Sequence, residues 1–218
     1  LLEKSGLPAG RPSGTILNGA DTKFFNTEGK ALWNGTEKLK IVTHHWSANL
    51  NKGHDAYEQL DALLSEPRHR DLFEFTYIGS VPPGIFYKNT KLIAPLFGRE
   101  LAQELKRHHV YITASRNDPG PNHPTEAAQC GLPLLYINSG ALPEYCQGFG
   151  IEFSVPALET ALQAMRRDYK KYTDALKTYP LSADRTATQY YEFFKELIAQ
   201  PHPATPARKF SSACFKLY

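Results

Sequence analysis

Short apolar runs alternate along the chain with stretches in which apolar residues recur every three or four positions. Runs of that length bounded by Gly, Pro or Asn predict buried strands, and the wider spacing predicts amphipathic helices. The strands expected are Thr15 to Leu17, Leu39 to Thr43, Phe73 to Ile78, Thr90 to Ala94, Val110 to Ala114, Leu132 to Ile137 and Gly150 to Phe153. Between them fall a helix from Asp55 to Leu64, with Tyr57, Leu60, Leu63 and Leu64 inward, and one from Arg99 to His108, with Leu101, Ala102 and Leu105 inward. A brief helix carries Glu126 and is stopped by Gly131, and another starts between Pro143 and Cys146. From Ala157 to Lys177 the apolar positions Leu158, Leu162, Met165, Tyr169, Tyr172 and Leu176 step by 4, 3, 4, 3 and 4, one stripe of a helix. From Arg185 to Gln200 the residues Tyr190, Tyr191, Phe193, Phe194, Leu197 and Ile198 wrap more than half the circumference, which predicts contact with two surfaces. Strands and helices alternating across short loops predict an α/β fold, a Rossmann-like doubly wound parallel sheet.

Composition narrows the class. At 218 residues with 41% apolar and 12% aromatic content the chain has enough material for a core. A balance of 25 basic against 22 acidic residues, net +3, is too mild to point to nucleic acid. No apolar run approaches ~20 residues and the start lacks the regions of a signal peptide, so a cytoplasmic location is expected. The pairs Arg166-Arg167 and Lys170-Lys171 read first as a solvated helix face, with peripheral attachment to the inner face of a membrane as an alternative use. Cys130, Cys146 and Cys214 form no Cys-x-x-Cys pair and read as reduced and structural, with no metal site.

Leu1 to Gly6 looks like a helix tail without an initiator Met, so a piece of a longer protein is expected, its missing part N-terminal. The divisions expected are a helix tail and linker over 1–17, the sheet domain over 18–184, a further helix over 185–200 and a Pro-rich flexible tail over 201–218.

The candidate chemistry lies in the loops. Strand, loop, helix and strand follow one another between Tyr111 and Gly140, which places a helix N-terminus and its unpaired N–H groups above the sheet. Asp118 and Glu126 flank that position, so an anion that also carries hydroxyls suits it better than bare phosphate, and a sugar phosphate is the obvious candidate. The loop after Leu39 to Thr43 adds Lys52 with Gly53, beside the same sheet edge where open α/β folds bind ligands. No Gly-x-Gly-x-x-Gly follows that first strand, which argues against a dinucleotide oxidoreductase.

These residues carry a resemblance. Asn18-Gly19-Ala20-Asp21 with Phe24 is similar to the "NGVD…F" that opens the C-terminal domain of retaining GT-B glycosyltransferases of the group 1 type. Asn51-Lys52-Gly53 resembles that family's "KG", Thr113-Ala114-Ser115 its "PS", and Glu126-Ala127 with Cys130-Gly131-Leu132-Pro133 its "EA…CG.P". Ser139-Gly140 to Pro143-Glu144 resembles "G..E", so the likeness spans positions 15 to 200. It implies the donor half of a GT-B fold that transfers a hexosyl group from a nucleotide diphosphate sugar with retention and without a metal or other cofactor. It implies an N-terminal acceptor-binding domain as partner, onto which the last helix crosses back.

Carried over position by position, Glu126 would hold the ribose hydroxyls and Asp118, in the place of a glutamate, the donor sugar. The amides of Asn122 and His123 would bind the diphosphate, and Lys52 would neutralise it as the glycosidic bond breaks. Gly120 is the loop amide best able to approach the sugar, because Pro119 and Pro121 have no N–H. Ser47 occupies the place of an arginine five positions before the lysine, with His44 or His45 as other sources of phosphate contact.

Each residue has a plainer reading. Glu126 could be a solvated carboxylate, Asp118 a turn residue before Pro-Gly, Lys52 a surface cation and Glu144 a favourable charge at a helix start. His44, His45 and Trp46 at a strand end read as hydrogen-bonded structural residues before a catalytic base, and the aromatics of Arg185 to Gln200 as core or interface. A nucleotide-sugar epimerase or hydrolase, and a non-catalytic nucleotide-binding module, stay open as rival functions.

Overall fold

A computed structural model describes residues 14–199. Six parallel strands, β1 (Leu39–His45), β2 (Phe73–Gly79), β3 (Lys91–Ile93), β4 (Val110–Thr113), β5 (Leu134–Tyr136) and β6 (Gly150–Glu152), form one sheet in the order β3-β2-β1-β4-β5-β6. The order reverses at β1, which pairs from Leu39 with Phe73 to His45 with Gly79 on one side and from Ile41 with Val110 on the other. That reversal opens a crevice above the C-terminal ends of β1 and β4, where the chain leaves in opposite directions.

The two central strands are sealed on both faces. All four residues of β4 are buried, as are all of β1 except Lys40, so the polar Thr43, His44 and His45 at the end of β1 are buried along with its apolar residues. Helices α1 (His54–Leu63), α2 (Pro67–Arg70), α3 (Gly98–Lys106), α4 (His123–Gln129), α5 (Leu142–Cys146), α6 (Leu158–Leu176) and α7 (Ala183–Ala199) complete the order. The stripe on α6 buries Leu158, Leu162, Met165, Tyr169 and Leu176, and that helix contacts β6 and α1. Cys130 and Cys146 are buried free thiols, and burial pushes Cys130 up to about 12, so it stays protonated.

Several expectations fail for identifiable reasons. Thr15 to Leu17 is not a strand; the only pairing there is a bridge from Ala20 to Ser182, where Gly19 lies so close to the Ser182 backbone that a Cβ would overlap it. One turn of helix, α2, begins at Pro67 and is too short to leave a periodic signal. Arg166 is not on a solvated face, since its guanidinium lies over Trp33 (5.4 Å) and Phe73 (5.8 Å). Its neighbours Arg167 and Lys170 pair with Asp168 and Asp174 on the outer side.

The chain divides into two compact units, one over Leu17–Ala187 and the other containing residues up to Ile16 and from Thr188 onward. In the second, Tyr190 stacks on Phe194 at 6.1 Å, and Tyr191, Phe194 and Ile198 are exposed. No residue of α7 is buried, so its apolar girth does not report two covered surfaces among the described residues. The expected helix tail and linker before Gly14, the end of the last helix at Gln200, the Pro-rich tail and Cys214 lie outside the described residues. Among the described residues no helix is long and apolar enough to cross a membrane.

Candidate functional site

Two loops are clamped together above β1 and β4. After β1 the chain makes a 3-10 turn, Leu50–Lys52, capped by Asn49, whose side chain accepts from the Asn51 N–H at 2.9 Å. Gly53 ends the turn at φ +83, and a Cβ there would overlap the Ala114 carbonyl, so only glycine lets the turn close onto the end of β4. The Arg116 N–H donates to the Asn51 carbonyl at 2.7 Å, and the Arg116 guanidinium forks onto Asp55 of α1 at 2.8 and 2.6 Å. Lys52 is thereby delivered to the second loop, where its Nζ donates to Asp118 Oδ2 at 3.0 Å.

The Asp118 loop is fixed from the other side. The Ala141 N–H donates to the Asp118 carbonyl at 2.9 Å, and the Asn117 N–H donates to Ser139 Oγ at 3.1 Å. Asn18 Nδ2 donates to the Gly120 carbonyl at 3.1 Å, which gives the Asn-Gly motif far upstream a definite task in shaping this loop. Asn122 and His123 then begin α4, so their N–H groups have no carbonyl one turn earlier to bond. Glu126 lies in the first turn of α4, and His44 Nε2 meets its Oε2 at 2.8 Å.

Beneath these groups lies a wall of rings. His45 Nε2 is 2.8 Å from the Tyr57 hydroxyl, which also accepts from the Ala114 N–H at 3.1 Å, and His123 Nε2 is 2.8 Å from Thr113 Oγ1. Burial, reinforced by neighbouring histidines and Lys52, holds His45 and His123 well below the ordinary imidazole range, so both are neutral at pH 7. Burial pushes Tyr57 up to about 12. The histidines at the strand end are thus tied into hydrogen bonds, as the structural reading of them expects.

Together the loops enclose a cleft of about 280 Å³. Its lining combines the polar Lys52, Asp118, Asn122, His123, Glu126 and His44 with the apolar Trp46, Ile78, Leu96, Phe97 and Leu101, and includes Gly120. Of the residues singled out from sequence, His44, His45, Trp46, Lys52, Asp118, Gly120, Asn122, His123 and Glu126 line it, and Ser47 and Glu144 do not. Phe97, 66% exposed, and the wall formed with Gly98 and Leu101 were not expected; the only signal was an aromatic directly before a helix start. Among the described residues no group of three His, Cys, Asp or Glu side chains is placed to hold a metal.

No protein-family model matches the sequence, and no curated protein matches it. Solved structures do. The chain is similar to a sucrose-phosphate synthase from Thermosynechococcus elongatus at 17% identity and TM-score 0.61, covering 84% of this chain and 52% of that one. It is similar to AviGT4, a glycosyltransferase involved in avilamycin A biosynthesis, at 14% identity and TM-score 0.65, covering 87% and 59%. A third likeness is to HepE of Anabaena in complex with UDP-glucose, at 12% identity and TM-score 0.62, covering 84% and 57%. At such identities the likeness is one of fold: the Rossmann-like sheet matches one half of the GT-B fold. The chain spans between half and three fifths of the length of these proteins.

Proposed function

We propose that the cleft binds a nucleotide diphosphate sugar and that the chain is the donor-binding half of a retaining, metal-independent glycosyltransferase. The observation that carries this reading is the convergence, at the switch point of the sheet, of a cation, two carboxylates and an apolar slot. Lys52 lies where a diphosphate would develop charge as the glycosidic bond breaks, with the amides of Asn122 and His123 as further donors. Glu126 accepts from the ribose diol, Asp118 from a sugar hydroxyl, and the base enters between Trp46 and the Phe97 wall. The Gly120 amide lies beside Asp118, and Ser47 keeps at most an indirect role from outside the cleft. The acceptor, a second domain to hold it and the hexosyl nature of the transferred group belong to the same proposal.

HepE is described in complex with UDP-glucose, which makes UDP-glucose the first probe for this chain. Calorimetry with UDP-, GDP-, ADP- and dTDP-sugars, with and without EDTA, tests the reading. One nucleotide class is expected to bind, unaffected by EDTA, and Glu126→Ala is expected to weaken it at least about tenfold, or ~1.4 kcal/mol. Binding by none of them, or binding indifferent to Glu126→Ala, would overturn it in favour of an assembly module.

A further inference from the structure

We infer that His44 is a positioning residue for Glu126, and that through it the site discriminates nucleotides with an intact ribose diol from those without one. The inference rests on the assignment of Glu126 to the ribose made above. His44 Nε2 and Glu126 Oε2 lie 2.8 Å apart, across 82 positions of sequence. An ionised carboxylate only accepts, so the proton of this bond is on Nε2. The other ring nitrogen, Nδ1, is buried and has no hydrogen-bond partner among the described residues. The ring therefore keeps one orientation at the expense of a second bond, and the orientation it keeps is the one that reaches Glu126.

The ring has little freedom to do otherwise. It lies in β1, paired with Ile78 of β2, packs against Tyr111 at 5.3 Å and stands edge-on to His123 at 6.2 Å. The Tyr111 hydroxyl bonds the His44 main chain, accepting from its N–H at 3.3 Å. Glu126, by contrast, has a long side chain on a short helix at the mouth of the cleft, and left alone would sample several rotamers. The bond from a fixed ring selects one. It occupies a single lone pair of Oε2, leaving the other and both on Oε1, which is what two adjacent hydroxyls need. The same geometry argues against His44 as a general base or as the phosphate contact that stands in for the absent arginine, since Nε2 is already committed to Glu126 and Nδ1 is buried.

The test compares UDP with 2′,3′-dideoxy-UDP, and ADP with its dideoxy analogue, by calorimetry on the full chain. His44→Leu, which cannot donate, is expected to cut the preference for the ribonucleotide at least about fivefold, towards that of Glu126→Ala. Affinity for the dideoxy form is expected to stay within about twofold. His44→Gln, whose amide can donate to Glu126, should restore most of the preference. An unchanged preference in His44→Leu, an equal loss for both ligands, or a failure of His44→Gln to rescue would overturn the inference. If the leucine variant does not fold, His44→Asn, too short to reach Glu126, takes its place with the same expected and overturning results. An unaltered preference in Glu126→Ala would overturn the ribose assignment itself, whereas a loss in Glu126→Ala with none in His44→Leu would overturn only the role of His44.

Discussion

Asp118 faces two demands that cannot both be met in full, and the conflict gives a measurable sign. Its Oδ2 accepts from Lys52 Nζ at 3.0 Å, with the two side chains 18% and 23% exposed. At an effective dielectric near 20 the gross attraction of charges ~4 Å apart is about 4 kcal/mol, while fully exposed pairs are worth only about 0–1 kcal/mol net. A pair this far buried falls between, at roughly 1 kcal/mol of coupling after screening and desolvation. A diphosphate entering the cleft has to share Lys52 with Asp118 and also sits close to a second negative charge. Asp118→Asn removes the second negative charge and weakens the competition for Lys52, while it keeps the shape and an oxygen for Lys52 to donate to. Binding of a free nucleoside diphosphate is therefore expected to tighten by about three- to tenfold, since ~1.4 kcal/mol is a factor of ten. The corresponding nucleotide sugar gains less, because the asparagine accepts more weakly from the sugar hydroxyl, so the ratio of sugar-nucleotide to nucleotide affinity falls. Isothermal titration of both ligands reads the two numbers in one series. A nucleoside diphosphate that binds Asp118→Asn more weakly than the native chain would refute the assignment of Lys52 to the phosphates.

Gly53→Ala is expected to destabilise the fold by about 2–4 kcal/mol, combining the left-handed φ of +83 with the overlap of the new Cβ and the Ala114 carbonyl. Urea denaturation measures it, and a change below ~0.5 kcal/mol would mean that the turn does not need to lie against β4. Stability should also fall as the pH drops through the ordinary imidazole range. His45 and His123 are held well below 6.5 by burial, and burial with Lys30 nearby lowers His109 to about 4. Below pH 6.5 the unfolded chain therefore binds protons that the folded one does not, so stability rises with pH and levels off above 6.5. The loss is up to about 1.4 kcal/mol per pH unit for each histidine until its folded value is reached. Urea midpoints at pH 7.5, 6.0 and 5.0, a window in which most carboxylates stay ionised, should decline steadily, and a flat series would contradict the buried-neutral assignment.

Sequence legibility followed burial. β1, β2 and β4 are nearly sealed on both faces, and the apolar residues clustered in each mark them to within one or two positions. In the connection from β2 to β3 the turn at Pro82-Pro83-Gly84 was legible, but its clamp by a side chain of another element was not: Asp61 of α1 accepts from Lys88, Asn89 and Thr90. In the site, Lys52, Asp118 and Glu126 stood out because Gly53, Pro119, Gly120 and Pro121 announce special backbone beside them. Their partners did not. Lys52 meets Asp118 across 66 positions and His44 meets Glu126 across 82, distances closed only by the adjacency of β1 and β4 in the sheet. Ser47 was placed by analogy with an arginine, and it is not among the residues that line the cleft.

The formal charges of the cleft set a condition on what can fill it. Lys52 contributes one positive charge against the two negative charges of Asp118 and Glu126, so the side chains alone leave an anion at a disadvantage. A bare diphosphate brings more negative charge and no donors, and would leave both carboxylates facing it unsatisfied. A ligand that places hydroxyls on either side of its phosphates turns the same carboxylates into acceptors of two or more charge-assisted hydrogen bonds each. The repulsion is then compensated at the points where it arises. On the proposed reading, the acids of this site act less as opponents of the phosphate than as a filter on what is attached to it, at the nucleoside end through Glu126 and at the sugar end through Asp118. The cleft is also ordered by its own side chains: Lys52 and His44 occupy, on each carboxylate, one of the bonds that hydroxyls of a ligand would share. The polar groups are held in place before any ligand arrives, and little reorganisation is left to oppose binding.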